Sequence, residues 1–226
     1  MLFQIDINGS VGAVAVMLEE NLGAVVCDST FRGKSCYTED IIYLIKLGTN
    51  VYCSHEGKLF VEGKGDFEYA PNGKITRLGG ILFDYFNSGR LMKIGAVNVE
   101  YYGSTHRVSR VGKTELEYYG SSGKLMKVGK NEIRYIGNTI KISQIGSVNL
   151  DYYGSGKIMK VGSVNVDYYG SDRIQRVGSA GFEYLASGKV KRIGGFSFDY
   201  SPSDRLSRGC CYDFTYLPSG KIQSVK

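Results

Sequence analysis

The amino-acid sequence predicts an all-β protein built as a long antiparallel meander of β-hairpins. Three observations predict it. A 16-residue unit recurs through residues 57–226. Glycine returns about every eight residues inside that unit, too often for a helix of ordinary length. The stretches between the glycines are rich in Val, Ile, Phe and Tyr, the composition of a pleated, half-buried strand. The wider composition agrees: 31 glycines, three prolines, 18 tyrosines and no tryptophan in 226 residues.

The units begin at Gly57, Gly73, Gly89, His106, Gly123, Ile140, Gly156, Asp172, Gly188 and Asp204, and a half unit follows from Gly220. Those starting at Gly89, His106 and Gly123 have 17 residues, the extra one falling at a turn. With unit positions numbered from one, position thirteen is Tyr in all ten full units, from Tyr69 and Tyr85 to Tyr216. Position two is Lys or Arg in all eleven, and position seven is Gly in nine of ten, Cys210 being the exception. Position five is basic in eight of ten and position twelve acidic in eight of ten.

Within a unit such as 156–171, Lys157–Val161 and Val164–Tyr169 read as strands. Gly162-Ser163 suits a two-residue hairpin loop, whose first residue needs a positive φ that glycine adopts cheaply. Gly170-Ser171 has the same chemistry at the other end. Two-residue loops at both ends place Val161, Val164, Val166 and Tyr168 on one apolar face, with Lys157 beside the tyrosine. They place Ile158, Lys160, Asn165, Asp167 and Tyr169 on the opposite, charged face. Some twenty strands follow, and open sheets rarely exceed about ten without curling or splitting. The apolar face must therefore be covered by twisting, by folding over, by docking on the N-terminal segment or by a partner.

Residues 1–56 fit the repeat poorly. Ala13–Met17, Ala24–Cys27 and residues 41–47 still read as strands, and Val51–Cys53 as a degenerate hairpin arm. Repeat arrays carry atypical ends, so the reading is an irregular, mostly-β cap, with a small separate module as the alternative. The domain division is thus 1–56 and 57–226, the latter holding ten and a half hairpin repeats.

Phe83-Asp84-Tyr85 followed by Gly89-Arg90-Leu91 resembles the tyrosine–aspartate repeats of the Rhs and teneurin class. The resemblance covers residues 57–226 and implies a continuous antiparallel sheet that spirals. Members of that class wall shells around cargo; this unit is shorter and the array too small to enclose a protein.

The chemistry-bearing residues are sparse. His55 and His106 are the only imidazoles, each at a turn, so a His-based nucleophile relay or a multi-His metal site is not expected. Gly112-Lys113-Thr114 imitates the end of a phosphate-binding loop, but Arg107 stands where that motif needs its first glycine. The aspartates of position twelve form a periodic ladder beside cations, not an isolated acid–base pair. Cys27, Cys36, Cys53, Cys210 and Cys211 are an odd number in a chain long enough to do without staples, and read as reduced thiols. No cofactor and no metal is expected. The start lacks a secretory pattern, and the smoothest apolar run, 11–18, is far short of the ~20 residues of a spanning helix. A cytoplasmic protein with no membrane span is the expectation.

The functional expectation is a non-enzymatic β-repeat scaffold or protein-binding element, one part of a larger assembly or self-associating. Position fourteen supplies the candidate binding residues: Tyr102, Tyr119, Tyr153 and Tyr169, clustered in the middle of the array. Tyrosine is enriched at interfaces because it offers a large rigid apolar body with a polar tip. The alternative is that the tyrosines and the formal charge of +6 bind a polysaccharide or a single-stranded nucleic acid.

Overall fold

The computed structural model describes residues 64–226 except Ser121, and within the first 63 residues the strands below with Asn8 and Glu62. Cys36, His55 and Lys58 lie outside the described residues. The described chain is all-β and antiparallel. Strands β1 (Leu2–Ile5), β2 (Val11–Met17), β3 (Ala24–Cys27), β4 (Ile41–Ile42), β5 (Leu44–Lys46), β6 (Val51–Ser54) and β7 (Leu59–Val61) form a seven-stranded sheet in the order β4-β3-β2-β1-β7-β6-β5. Twenty strands, β8 (Gly65–Tyr69) to β27 (Ile222–Val225), form a second sheet that closes into a barrel.

Closure corrects the expected open meander. The first half of a unit at the C-terminus meets the second half of a unit at residue 65. β27 pairs with β8 through Ser224↔Asp66 and Val225↔Gly65, the register found inside every hairpin. The Lys226 and Asp213 backbones exchange hydrogen bonds of 2.9 and 3.0 Å where other units bond through the position-seven glycine, as in Gly162 N–H to Asn149 O. The barrel is thus ten hairpins, with a break in the chain where one tight turn would be. An open sheet would leave two unpaired edges and an uncovered apolar face, both of which closure removes.

The turns explain the register. At the tight turns Gly162 has φ +56° and pairs its flanks Val161↔Val164, as a two-residue loop with glycine first requires. Cys210 takes the same conformation, φ +61°, at a cost that its neighbours must hold in place. The other connection is longer than two residues. In 169–173 the Tyr169 N–H donates to Arg173 O and the Asp172 N–H to Tyr169 O. Tyr168 then pairs with Ile174 while Asp167 pairs with Arg176, leaving Gln175 as a bulge. The bulge turns position three inward: Ile158 is fully buried and Met159 is exposed, the reverse of the two-face assignment that assumed equal loops. Positions three, six and eleven therefore form the core, as Ile158, Val161 and Val166 do.

Position eleven pairs with position six of the next unit, which pairs with position nine of its own hairpin, as in Leu150↔Val161↔Val164. Each strand is staggered by one residue on average, and a barrel whose stagger equals its strand number tilts its strands about 36°. A round barrel of twenty such strands would have a bore about 35–40 Å wide. Yet the inward side chains are buried and join one apolar cluster, which includes Phe3, Ile45 and Cys53 of the N-terminal sheet. The interior is packed, not a water-filled channel.

One contact shows how the N-terminal sheet enters that core. Position six of the barrel units is Val, Ile or Leu everywhere except Gly209. A Cβ at Gly209 would stand 3.0 Å from the Phe3 ring. Phe3 also meets Tyr212 and Phe214 edge-on, with centroids 6.0 and 5.0 Å apart. The missing side chain of one repeat is replaced by a phenylalanine from β1.

Candidate binding site on the long-turn rim

The connections alternate, so every tight turn lies at one rim and every long turn at the other. The long-turn rim collects positions thirteen to two, the columns richest in Tyr, Lys and Arg. Except at His106 and Ile140, position one of the described units takes a left-handed backbone there: Gly156 has φ +88° and Asp172 φ +65°. Glycine serves a second purpose. The position-two cation of the preceding unit rests where its Cβ would be, as Lys221 does against Gly73 and Arg107 against Gly123. Where position one is Asp, the cation pairs with the carboxylate instead: Lys157 with Asp172, and Lys189 with Asp204 at 2.5 Å.

Each position-thirteen tyrosine lies under the cation of its own unit, for instance Lys157 at 4.9 Å from the Tyr168 ring and Lys189 at 4.6 Å from Tyr200. Except at Tyr101, the tyrosine hydroxyl donates to the position-three carbonyl paired with it, as Tyr168 does to Ile158 O at 2.8 Å. Both contacts recur across the seam: the Tyr69 hydroxyl donates to Ile222 O at 2.6 Å, and Lys221 stands over the Tyr69 ring and donates to Gly73 O. Burial pushes the Tyr69, Tyr135 and Tyr216 phenols up to about 12; at Tyr135 the neighbouring Tyr119 adds to this and at Tyr216 Arg205 opposes it. This layer seals the core and is structural.

The position-fourteen side chains lie outside it. Tyr102 is 45% exposed, Tyr119 and Tyr169 39%, and Tyr153 38%. Phe86, Ile136 and Leu185 share the column and are likewise exposed, so seven successive units carry a large exposed apolar or aromatic side chain at this rim. The tyrosines are fixed rather than free. Each sits edge-on to the position-thirteen tyrosine of the next unit, Tyr102 on Tyr118 and Tyr119 on Tyr135, at 5.8 and 6.1 Å. The Tyr102 hydroxyl donates to Leu116 O at 2.8 Å and the Tyr169 hydroxyl to Phe182 O at 3.0 Å. Ordered rings of this kind lose little entropy on contact with a partner.

Tyr102 and Tyr119 stand on either side of a cleft of about 420 Å³, lined also by Thr105, Arg107, Glu117 and Met126. Tyr153 and Tyr169 lie further along the strip, beyond Ile136. Sequence reasoning missed Arg107 and Glu117 as members of one site. The available signal was the pair of 17-residue units, whose six-residue turns 102–107 and 119–124 frame the cleft. His106 is an exposed residue of the first of these turns.

The barrel's outer face is self-neutralised. Arg77–Glu68, Arg110–Glu115 and Arg176–Asp167 join positions five, ten and twelve at 2.6–3.1 Å. Such exposed pairs contribute about 0–1 kcal/mol each. Among the described residues Cys53, Cys210 and Cys211 form no disulfide, and burial pushes the thiols of the first two up to about 12, so that little thiolate forms near neutral pH. Among the described residues no group of three or more His, Cys, Asp or Glu is placed to hold a metal ion. Among the described residues no helix is long and apolar enough to cross a membrane. No family model matches the chain, and no curated protein matches it.

Proposed function

We propose that the protein is a non-enzymatic scaffold whose closed barrel presents the position-fourteen strip to a protein partner. The observation that carries this reading is the ordered row of exposed side chains from Phe86 to Leu185, on a barrel whose other large apolar groups are mostly inside. A contiguous exposed apolar row on a soluble surface marks an interaction site more often than a structural need. The position-thirteen layer supports the same view, since it seals the core without any help from position fourteen. Burial raises the Cys53 and Cys210 thiols, away from the lowered pKa that nucleophilic chemistry exploits, which accords with a binding role.

We further propose that the barrel works in water rather than in lipid. Its strands are four or five residues long, against about 9–11 for a membrane-crossing strand. Its outward face bears ion pairs where a membrane barrel bears an apolar band.

The test replaces Tyr102, Tyr119, Tyr153 and Tyr169 with Ser and compares cross-linked partners and thermal stability with the parent chain. Lost cross-linking at a nearly unchanged Tm supports recognition by the strip. Retained cross-linking with a lowered Tm makes these tyrosines structural. Binding to an oligosaccharide or oligonucleotide panel, abolished by the same changes, would instead favour a polymer ligand.

A further inference from the structure

We infer that the cleft between turns 102–107 and 119–124 binds the side-chain carboxylate of an acidic peptide segment, with Arg107 as its counter-ion. The inference rests on the strip reading above and names the chemistry that one part of it recognises. The position-two cations are not equivalent. Lys74, Lys124, Lys189 and Lys221 donate to backbone carbonyls of the next turn, Arg90 donates to Thr105 O, and Lys157 pairs with Asp172. The Arg107 guanidinium rests over the Tyr118 ring at 5.8 Å and against Gly123. Like the side chains of Lys141, Arg173 and Arg205, it makes no hydrogen bond or ion pair among the described residues; it alone of these four lines the cleft. It is exposed and lines the cleft. Its fork of donors matches a carboxylate bidentately, and the ring behind it holds the plane without using those donors.

The surroundings select the rest of the ligand. Tyr102 and Tyr119 form apolar walls for residues flanking the acid, and Met126 offers an adaptable surface between them. Glu117 would oppose an anion if it stood alone, but Lys127 lies 3.5 Å away and offsets its charge. The formal charge of +6 favours an acidic partner at longer range. The cleft also coincides with the repeat's irregularity, two of the three lengthened turns standing side by side. In repeat proteins such insertions gather on one face, often the binding face.

The test uses the full chain and two capped heptapeptides, Ac-Gly-Ser-Leu-Glu-Leu-Ser-Gly-NH₂ and its Gln counterpart, titrated by NMR. The Glu peptide is expected to shift the amides of residues 103–107 and 119–124, with the Gln peptide at least tenfold weaker. Arg107→Gln should abolish the preference while Arg205→Gln, the same column on another unit, keeps it. Equal binding of the two peptides, or a preference that survives Arg107→Gln, overturns the inference. So does binding of a neutral oligosaccharide at the same amides that is insensitive to Arg107→Gln. If Arg107→Gln leaves partner cross-linking intact while the four-tyrosine change removes it, this inference fails and the strip reading stands; if neither change matters, both fail.

Discussion

Phe3 and Gly209 should behave as one unit in a double-mutant cycle. Phe3 is 1% exposed, and its ring fills the space left by the single repeat lacking a position-six side chain. Phe3→Ala opens that space and should cost about 3–5 kcal/mol. Gly209→Val alone forces a Cβ to 3.0 Å from two Phe3 ring carbons and 3.3 Å from Leu206, inside ordinary carbon contact, and should cost about 1–3 kcal/mol through overpacking. Valine itself suits this backbone, since other units carry Val at the equivalent place. With the ring gone the new side chain occupies the vacated volume. The double variant should therefore be less damaged than the two single costs together, with a coupling of about 1–3 kcal/mol. Urea unfolding followed by far-UV circular dichroism reads the four stabilities, with equal slopes showing that the unfolded state is unchanged. Additivity within about 0.5 kcal/mol would refute the claim that Phe3 substitutes for the missing repeat side chain.

Three further outcomes are expected. Gly162→Val should cost about 1–3 kcal/mol in the same unfolding assay, because a β-branched residue is held at φ +56°; a neutral result would contradict the turn assignment. Tyr168→Phe removes the hydroxyl donated to Ile158 O and should cost about 0.5–1.5 kcal/mol, whereas an unchanged stability would mean the bond has no net value. Alkali should destabilise the fold. Tyr69, Tyr101, Tyr135 and Tyr216 are raised from 10.0 to about 12 and Cys53 from 9.0 to about 12, so the folded state holds protons that the unfolded state has lost. Their contribution is complete below about pH 9 and is lost as pH rises toward 12. Tyrosinate absorbance at 295 nm should show a late-titrating class in the folded protein, and a single transition near pH 10 would count against it.

Much of the architecture is legible in the columns. The recurrent glycine at position seven gives the tight turn, and the Val161, Val164 and Val166 pattern gives the inward face. The misreading of Ile158 came from the other turn. Gly170-Ser171 resembles a two-residue loop, but the positive φ falls on Asp172, and the five-residue connection with its bulge shifts position three to the inside. Closure was also hidden. A half unit at Gly220 reads as an incomplete repeat until β8 is known to supply the other half. The four tyrosines of position fourteen were visible as a local enrichment, but Arg107 was one of eleven identical-looking cations. What distinguishes it is the cleft beside it, between two lengthened turns, which depends on three-dimensional placement and not on residue type.

The most direct test of the account is the seam between β27 and β8. In a dilute monomeric sample, cross-strand backbone NOEs should link Ser224 to Asp66 and Val225 to Gly65, as the closed register requires. Absence of those NOEs, or their appearance only between differently labelled chains, would contradict a barrel closed within one molecule.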